Sequence, residues 1–307
     1  MAGPLARLLS TRNPALLDGA MGTELQRRGT DTGLPLWSAN ALMANPGLVR
    51  QIHADYIAAG ADIITTNTFR TTRRTFDHAG IPDASAALTR RALELARQAR
   101  QESGRTDVLI AGSIAPLEDC YRPDLVPPDS DLRREHAELA RRLADGVDCI
   151  LLETMNTVRE AYAACEAAVA TGKEVIVSFI CNREGNLYDG ESLTYAIRSV
   201  ASLAPAAFSI NCVSPRFIRP ALNIARATTD LPIGVYANVG IPENERRGWE
   251  FTHDIGAAEY ATYASDWLHS GVAILGGCCG TTPEYIAAVA KTLNRKPQDT
   301  QNPTPKT

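Results

Sequence analysis

Short apolar segments alternate with longer segments of helical periodicity along nearly the whole chain. The apolar segments, rich in Ile, Val, Leu and Ala, begin at or next to Ala15, Asp62, Val108, Cys149, Glu174, Ala207, Pro232 and Ala273. Between them apolar residues recur at helical spacing, most clearly in segments 46–60, 84–101 and 132–144. Strands that alternate with helices predict a parallel sheet, and about eight strand-helix units are the number that closes a barrel. We therefore predict an α/β fold, a single (β/α)8 TIM barrel formed by residues 1–294.

Composition narrows the classes of partner. The chain of 307 residues carries a formal net charge of -4 and has no block rich in Lys and Arg, so we expect neither nucleic acid nor an anionic membrane as a partner. It has no export signal at residues 1–10 and no apolar run of membrane-spanning length, which predicts a cytoplasmic protein that acts on small molecules. Residues 295–307, rich in Pro, Gln, Asn and Thr, predict a disordered tail. The sequence leaves open whether the chain forms a homo-oligomer.

The strongest functional signal is the sequence Gly-Gly-Cys-Cys-Gly at positions 276–280. It follows an apolar run and precedes Thr282 and Pro283, which predict the N-cap and first residue of a helix. Cys278 and Cys279 are therefore expected between a strand end and a helix N-terminus, where the helix dipole favours thiolate over thiol. Seven cysteines, an odd number without an export signal, favour reduced thiols or metal ligation over a disulfide framework.

A third cysteine, Cys212, directly follows the sixth predicted strand. Since the carboxyl ends of barrel strands converge on one face, we expect its thiol to meet those of Cys278 and Cys279. Three thiolates are a soft ligand set that favours zinc or Cu(I) over magnesium or calcium, and they leave one coordination position open, as catalytic zinc sites do. The alternative is that adjacent cysteines are only buried packing residues. That is the role we predict for the scattered cysteines, in packing or at the surface: Cys120, Cys149, Cys165 and Cys181.

Two acids occupy similar positions. Asp18 follows the first strand, and Glu153 stands at the end of the fourth. The alternative for Asp18 is a turn or helix-capping residue. Gly19 and Gly22 would let backbone N–H groups approach an anion. The long, proline-flanked loop 116–128 is typical of a lid or binding loop.

Four motifs carry a family resemblance: Asp-Gly-Ala-Met-Gly-Thr at 18–23, Glu-Thr-Met at 153–155, Asn-Cys at 211–212 and Gly-Gly-Cys-Cys-Gly at 276–280. In order and spacing they resemble the zinc-dependent homocysteine S-methyltransferase family. The resemblance implies that Zn²⁺, held by Cys212, Cys278 and Cys279, activates the thiol of homocysteine for methylation. It also implies that Asp18 and Glu153 receive the substrate ammonium group and that backbone N–H groups near Gly19 receive its carboxylate.

Further substrate-binding candidates are Trp37 and Asn238. A small onium methyl donor calls for aromatic faces, and four residues at predicted loops or strand ends offer them: Trp37, Phe69, Tyr121 and Tyr236. Betaine-using relatives have aromatic residues where this chain has Arg70 and Thr154, whereas segment 35–39 is similar to the S-methylmethionine-using branch. We expect S-methylmethionine as donor and methionine as product.

Other functions remain open at this stage. The chain has no room for the folate and cobalamin domains of methionine synthases. It could still serve as a homocysteine-binding subunit that takes its methyl group from a separate corrinoid protein, or use another donor such as betaine. A non-catalytic zinc- or thiol-binding protein is the third alternative.

Overall fold

Eight parallel strands form the central sheet of the protein. The structure, a computed structural model, describes residues 2–242, 249–250 and 254–295. The strands are β1 (Ala15–Leu16), β2 (Ile63–Thr65), β3 (Leu109–Ile114), β4 (Cys149–Met155), β5 (Glu174–Phe179), β6 (Ala207–Asn211), β7 (Ile233–Ala237) and β8 (Ile274–Gly277). Neighbours in the chain are neighbours in the sheet, and β8 also pairs with β1. A parallel bridge from Leu17 to Ile63 joins β1 to β2 and closes the sheet. The predicted (β/α)8 barrel is confirmed.

Helices surround the barrel. Within the described residues they are α1 (Pro4–Thr11), α2 (Gly22–Arg27), α3 (Ala41–Ala44), α4 (Pro46–Ala58), α5 (Arg73–His78), α6 (Ala84–Glu102), α7 (Asp129–Ala144), α8 (Val158–Val169), α9 (Leu193–Ala201), α10 (Ile218–Thr228), α11 (Ala257–His269) and α12 (Pro283–Thr292). None of these helices has the length and apolar character needed to cross a membrane. Ile241–Pro242 and Trp249–Glu250 form a separate two-stranded antiparallel pair.

Predicted element ends agree in part with those observed. Segment 62–69 was predicted to be a strand that runs into a polar loop, and this is confirmed: β2 ends at Thr65, and the threonine hydroxyls that follow bond locally and to β3. Thr68 Oγ1, for example, donates to the Ser113 carbonyl at 2.7 Å. Thr282 occupies the N-cap position of α12 as predicted, but its side chain makes no capping hydrogen bond. Of the predicted tail, Arg295 forms an ion pair with Asp62, and residues 296–307 lie outside the described residues.

Helix α1 was not predicted from the sequence. Leu5 and Leu8 are its buried residues, and the side chain of Glu174, at the start of β5, accepts the N–H groups of Leu5 and Ala6 at 2.7 and 3.0 Å. A carboxylate at a helix N-terminus satisfies unpaired donors and complements the helix dipole. The capping residue is far away in sequence, so a local pattern could not reveal it.

Asp62 secures the junction between β1 and β2. Its side chain is fully buried, and Oδ2 accepts the Leu16 N–H at 2.9 Å. The carboxylate forms ion pairs with Arg12 and Arg295 and lies 3.8 Å from the Arg105 guanidinium. One buried acid therefore ties the closing strands to the segments before β1 and after α12.

Asp62→Ala should destabilise the protein by about 3–5 kcal/mol, because it leaves several partly buried guanidinium groups and the buried Leu16 N–H without their acceptor. The measurement is urea unfolding followed by circular dichroism. Asp107→Ala is the matched control, since Asp107 pairs with Arg12 and Arg105 at 2.7 Å but is 46% exposed. It should cost about 1 kcal/mol or less. Equal losses in the two variants would refute a special role for Asp62.

Candidate active site

Three thiol groups meet at the carboxyl ends of the barrel strands. Cys212 Sγ lies 3.2 Å from Cys278 Sγ and 3.9 Å from Cys279 Sγ. All three sulfur atoms are within 4.8 Å of one another. The structure thus brings together the cysteines that the sequence analysis selected as metal ligands, although 66 positions separate Cys212 from Cys278.

Strand β7 positions these cysteines from both sides. Asn211 at the end of β6 is in register with Tyr236, and Gly277 at the end of β8 is in register with Ala237. Directly beyond the strand ends, Cys212 N–H donates to the Tyr236 carbonyl at 3.3 Å and Cys278 N–H donates to the Ala237 carbonyl at 2.8 Å. Both backbones are therefore fixed to one strand, and each thiol projects from a rigid strand end.

The glycine-rich loop is locked against the segment that follows β1. Thr281 Oγ1 donates to the Cys278 carbonyl at 2.7 Å and accepts the Ala20 N–H at 3.3 Å. A Cβ at position 277 would lie 2.3 Å from that hydroxyl, so only glycine fits. Gly280 has a φ of +83°, which side chains disfavour, and its N–H donates to Thr23 Oγ1 at 2.9 Å.

Asn211 links the cysteine cluster to two other strands. Its Oδ1 accepts the Thr154 N–H at 3.0 Å and the Ser178 hydroxyl at 2.7 Å, and its Nδ2 lies 3.8 Å from Cys278 Sγ. Thr154 and Cys212, which follow Glu153 and Asn211, both have a φ of 56°. Backbone strain of this kind occurs where surrounding contacts hold a functional residue in place. Asn211 supplies such a contact for Thr154.

Glu153 and Asp18 face the same cavity from β4 and from the end of β1. Glu153 lies where the β4–β5 register is irregular, between Leu152 and Met155, and accepts the Ser113 hydroxyl. Such an irregularity re-aims a side chain. Asp18 accepts the Thr65 N–H at 2.7 Å and the Thr65 hydroxyl at 2.9 Å.

Burial disfavours the ionised forms of Asp18 and Glu153. It raises the pKa of the Asp18 carboxyl to about 7 and the pKa of Glu153 to about 8, and the hydrogen bonds from Thr65 and Ser113 offset only part of the shift. Over the described ranges no Lys, Arg or His forms an ion pair with either acid. Two buried carboxylates without a counter-charge favour a cationic ligand.

These residues line one cavity of about 600 Å³. Its wall includes Asp18, Gly19, Trp37, Glu153 and the three cysteines, together with all four aromatic residues proposed for an onium group. Trp37 packs over Gly22, where a Cβ would come within 2.3 Å of the indole nitrogen. The volume is typical of a small-molecule site.

Asn238, also a predicted substrate-binding residue, lies directly beyond β7. It is buried and is absent from the described residues that line the cavity. Its N–H donates to the Val213 carbonyl at 3.1 Å, and the next N–H, from Val239, donates to the Cys279 carbonyl at 2.9 Å. The backbone at 238–239 thus supports the segments that carry Cys212 and Cys279, and substrate binding by Asn238 stays a prediction.

Sequence reasoning missed part of the site in the loop between β3 and α7. Cys120, predicted to be a packing or surface cysteine, lines the cavity, whereas Cys149, Cys165 and Cys181 are buried as packing residues. Tyr121 Oη lies 3.4 Å from Cys212 Sγ, so this aromatic residue contacts a candidate metal ligand.

The same loop is held from below by α8 and the segment before it. Asn156 Nδ2 donates to the Cys120 carbonyl at 3.1 Å, and Glu160 accepts the Leu117 N–H at 2.8 Å. The proline-flanked sequence of this loop was its only local signal.

The donor set suits a thiophilic metal ion. Bonds of about 2.3 Å to zinc in tetrahedral geometry separate sulfur atoms by roughly 3.8 Å, and the separations involving Cys212 are 3.2 and 3.9 Å. Contacts with the thiols of Cys212 and Cys279 lower the pKa of Cys278 well below its usual range, which favours a thiolate at this position. The residues present therefore fit a zinc ion.

The chain is similar in sequence to known methyltransferases. The family model described as "Homocysteine S-methyltransferase" matches residues 15–293. The homocysteine S-methyltransferase of Escherichia coli K12 is 34% identical over 93% of this chain and 97% of its own length. The selenocysteine Se-methyltransferase of Brassica oleracea var. italica is 34% identical over 93% of this chain and 90% of its own length.

The solved structures that match include the E. coli homocysteine methyltransferase MmuM. Its metallated form superimposes with a TM-score of 0.83 at 33% identity, over 94% of this chain and 100% of that chain. The apo form gives a TM-score of 0.74 over 94% of this chain and 99% of that chain.

Asp18→Asn should stabilise the metal-free protein more at high pH than at low pH. The folded-state pKa of about 7 exceeds the ordinary carboxyl value of 3.8, so ionisation of Asp18 opposes folding increasingly as pH rises towards 7. The stability difference should therefore grow by about 2–3 kcal/mol between pH 5 and pH 8. Urea unfolding with chelator present measures it, and Asp107→Asn serves as an exposed control. A difference independent of pH would refute the burial of an uncompensated charge.

Proposed function

The chain belongs to the homocysteine S-methyltransferase family, and we propose that it transfers a methyl group from S-methylmethionine to the thiol of homocysteine. Zn²⁺ bound by Cys212, Cys278 and Cys279 is part of the proposal. The observation that carries it is the convergence of three thiols and two unpaired carboxylates on one cavity wall. A protein that merely stored metal would have no use for two buried acids beside the thiols.

Asp18 and Glu153 would bind the ammonium group of homocysteine. A cation between them restores the charge balance that burial disturbs, and it brings the pKa of each acid back down. Backbone N–H groups near Gly19, which lines the cavity, would receive the carboxylate. Glycine is required at this position because a Cβ would lie 2.8 Å from both Tyr56 Oη and Thr281 Oγ1 and would force the segment to move. The amino-acid end of the acceptor is thereby fixed, with its side chain directed towards the cysteines.

The reaction requires the acceptor sulfur as a thiolate. A zinc ion held by Cys212, Cys278 and Cys279 would act as a Lewis acid and lower the pKa of the acceptor thiol, so that a thiolate would form at neutral pH. The homocysteine sulfur then attacks the donor methyl carbon; the new carbon–sulfur bond forms while the bond to the donor sulfonium breaks. Its electron pair returns to the donor sulfur, and both products are methionine.

The residues of the cavity contribute orientation and the exclusion of water. Attack of an anion on a cation gives neutral products, so solvation of the separated ions opposes the reaction and a partly dry cavity favours it. Tyr121 Oη, beside Cys212 Sγ, would hold that thiolate in position. Aromatic faces on the cavity wall would attract the donor cation: Trp37, Phe69, Tyr121 and Tyr236.

A second acceptor is favoured by the relatives named as selenocysteine methyltransferases, one of which is 32% identical over 91% of this chain. Selenocysteine carries the same ammonium and carboxylate groups and a selenol that ionises more readily than a thiol. We propose homocysteine as the main acceptor and selenocysteine as the alternative to be compared with it.

The test is formation of labelled methionine from methyl-labelled S-methylmethionine with homocysteine or selenocysteine as acceptor. Betaine and S-adenosylmethionine are run in parallel as donors. We expect product from S-methylmethionine, and Asp18→Asn should raise KM for homocysteine by about 10- to 100-fold through loss of the charged partner. If zinc-loaded protein formed no methionine with any onium donor, the result would contradict the proposal and favour a corrinoid protein as the methyl source.

The metal part of the proposal is tested by zinc content. Protein purified without chelator should hold about one zinc per chain, and Cys278→Ser should lose most of the metal and at least about 100-fold in activity, because two thiolates bind zinc far more weakly than three. Cys165→Ser is the matched control, since Cys165 is buried in α8. Retention of zinc by Cys278→Ser would refute the ligand assignment.

A further inference from the structure

Arg70 lines the cavity but has no acidic partner. Within the described residues no carboxylate lies within ion-pair distance of its guanidinium, and its Nε is buried without a hydrogen-bond partner. Buried donors in native proteins are normally satisfied, so an unsatisfied one calls for a missing partner. The missing partner of a guanidinium is an anion, and a carboxylate matches its planar, two-pronged geometry.

The Arg70 side chain is held in place without being neutralised. Its Nη1 donates to the Glu118 carbonyl at 3.3 Å, and Cζ stands 5.7 Å from the centre of the Phe69 ring. Neither contact supplies negative charge beyond a carbonyl dipole. The guanidinium is thus held in position before any ligand binds, and one face of the Phe69 ring is occupied by Arg70.

The neighbouring arginines differ from Arg70 in this respect. Arg74 pairs with Glu135 at 2.7 Å, Glu118 at 3.2 Å and Asp131 at 3.3 Å. Arg122, on the same cavity wall, pairs with Asp124 at 2.7 Å. The carboxyl of Glu118 therefore serves Arg74, while Arg70 contacts only its backbone carbonyl.

Asp119 provides the opposite charge nearby. It also lines the cavity, and its Oδ1 accepts the Tyr121 N–H at 2.9 Å. This hydrogen bond fixes the carboxylate and leaves its second oxygen available. No basic side chain in the described parts of the chain forms an ion pair with Asp119.

We propose that Arg70 and Asp119 bind the carboxylate and ammonium groups of the methyl donor, so that the cavity holds two amino acids at once. This inference rests on the proposed methyl transfer and adds a donor head-group site to it. Asp18 and Glu153 serve the acceptor, and Arg70 and Asp119 serve the donor. The side chains of the two bound amino acids would then point towards the thiol cluster, where the donor sulfonium and the acceptor thiolate meet.

The site implies selection among onium donors. A donor that lacks the free ammonium, such as betaine, can engage only Arg70. A donor that lacks the carboxylate can engage only Asp119 and leaves the Arg70 guanidinium unpaired. Discrimination by buried charged groups is strong because the wrong ligand leaves them unpaired. S-methylmethionine satisfies both groups.

The experiment compares three donors in wild type, Arg70→Gln and Asp119→Asn. The donors are S-methylmethionine, its carboxamide, which lacks the negative charge, and 4-dimethylsulfoniobutanoate, which lacks the ammonium. Binding is measured by calorimetry without homocysteine, and kcat/KM is measured with it. Arg70→Gln should weaken binding of S-methylmethionine by about 10- to 100-fold and leave binding of the carboxamide unchanged. Asp119→Asn should weaken binding of S-methylmethionine and leave binding of the butanoate unchanged.

Arg122→Gln is the matched control, because it removes the same charge from the same wall and should not alter the preference among donors. Arg70→Lys keeps the positive charge but not the two-pronged guanidinium, so it should lose less affinity for S-methylmethionine than Arg70→Gln. It also gives a second variant in case Arg70→Gln does not fold. Equal losses for all three donors, or equal binding of the three to wild type, would overturn the inference. An inactive wild type that still prefers S-methylmethionine over both analogues in calorimetry would refute the proposed transfer and support the head-group site.

Discussion

The backbone of β7 is the interaction on which the site depends. Its Tyr236 and Ala237 carbonyls accept the N–H groups of Cys212 and Cys278, at 3.3 and 2.8 Å. A three-sulfur metal site tolerates little variation in ligand spacing, and ladder hydrogen bonds are among the most rigid connections in a protein. Because the strands are parallel, all their carboxyl ends lie on the same face, and two thiols 66 positions apart need no flexible linker to meet. The glycines of the 276–280 loop allow the backbone to approach closely enough for this.

The binding site depends on buried charged groups that have no oppositely charged partner within the described part of the folded chain. Asp18 and Glu153 face the cavity with raised pKa values, and Arg70 faces it with an unsatisfied Nε. Each lowers the stability of the unliganded protein, and each becomes favourable when a ligand of opposite charge binds. By contrast Asp62, at the other end of the barrel, has its charge balanced by arginines. The contrast separates a structural face of the barrel from a binding face.

The sequence predicted most of the architecture and much of the site, for local reasons. Apolar runs that alternate with helical periodicity were enough for the eight strand-helix units, and Glu174–Phe179 has the predicted bounds. Cys212, Cys278 and Cys279 could be selected because they follow strands. Helix α1 could not be predicted in this way, since the residue that caps its N-terminus, Glu174, is distant in sequence. Asn238 was also selected, but it is not among the described residues that line the cavity.

The chemical groups available at the strand ends can be read from the amino-acid order: three thiols, two acids and several aromatic rings. Strand periodicity and glycine are local signals, which is why these groups could be placed. Which charges are paired depends on the folded barrel. Arg70, Arg74 and Arg122 look alike in sequence, yet acids from α7 and from the β3–α7 loop neutralise Arg74 and Arg122, and in the part of the chain described here none reaches Arg70. Ion pairing depends on distances between distant segments, and those exist only once the barrel has closed.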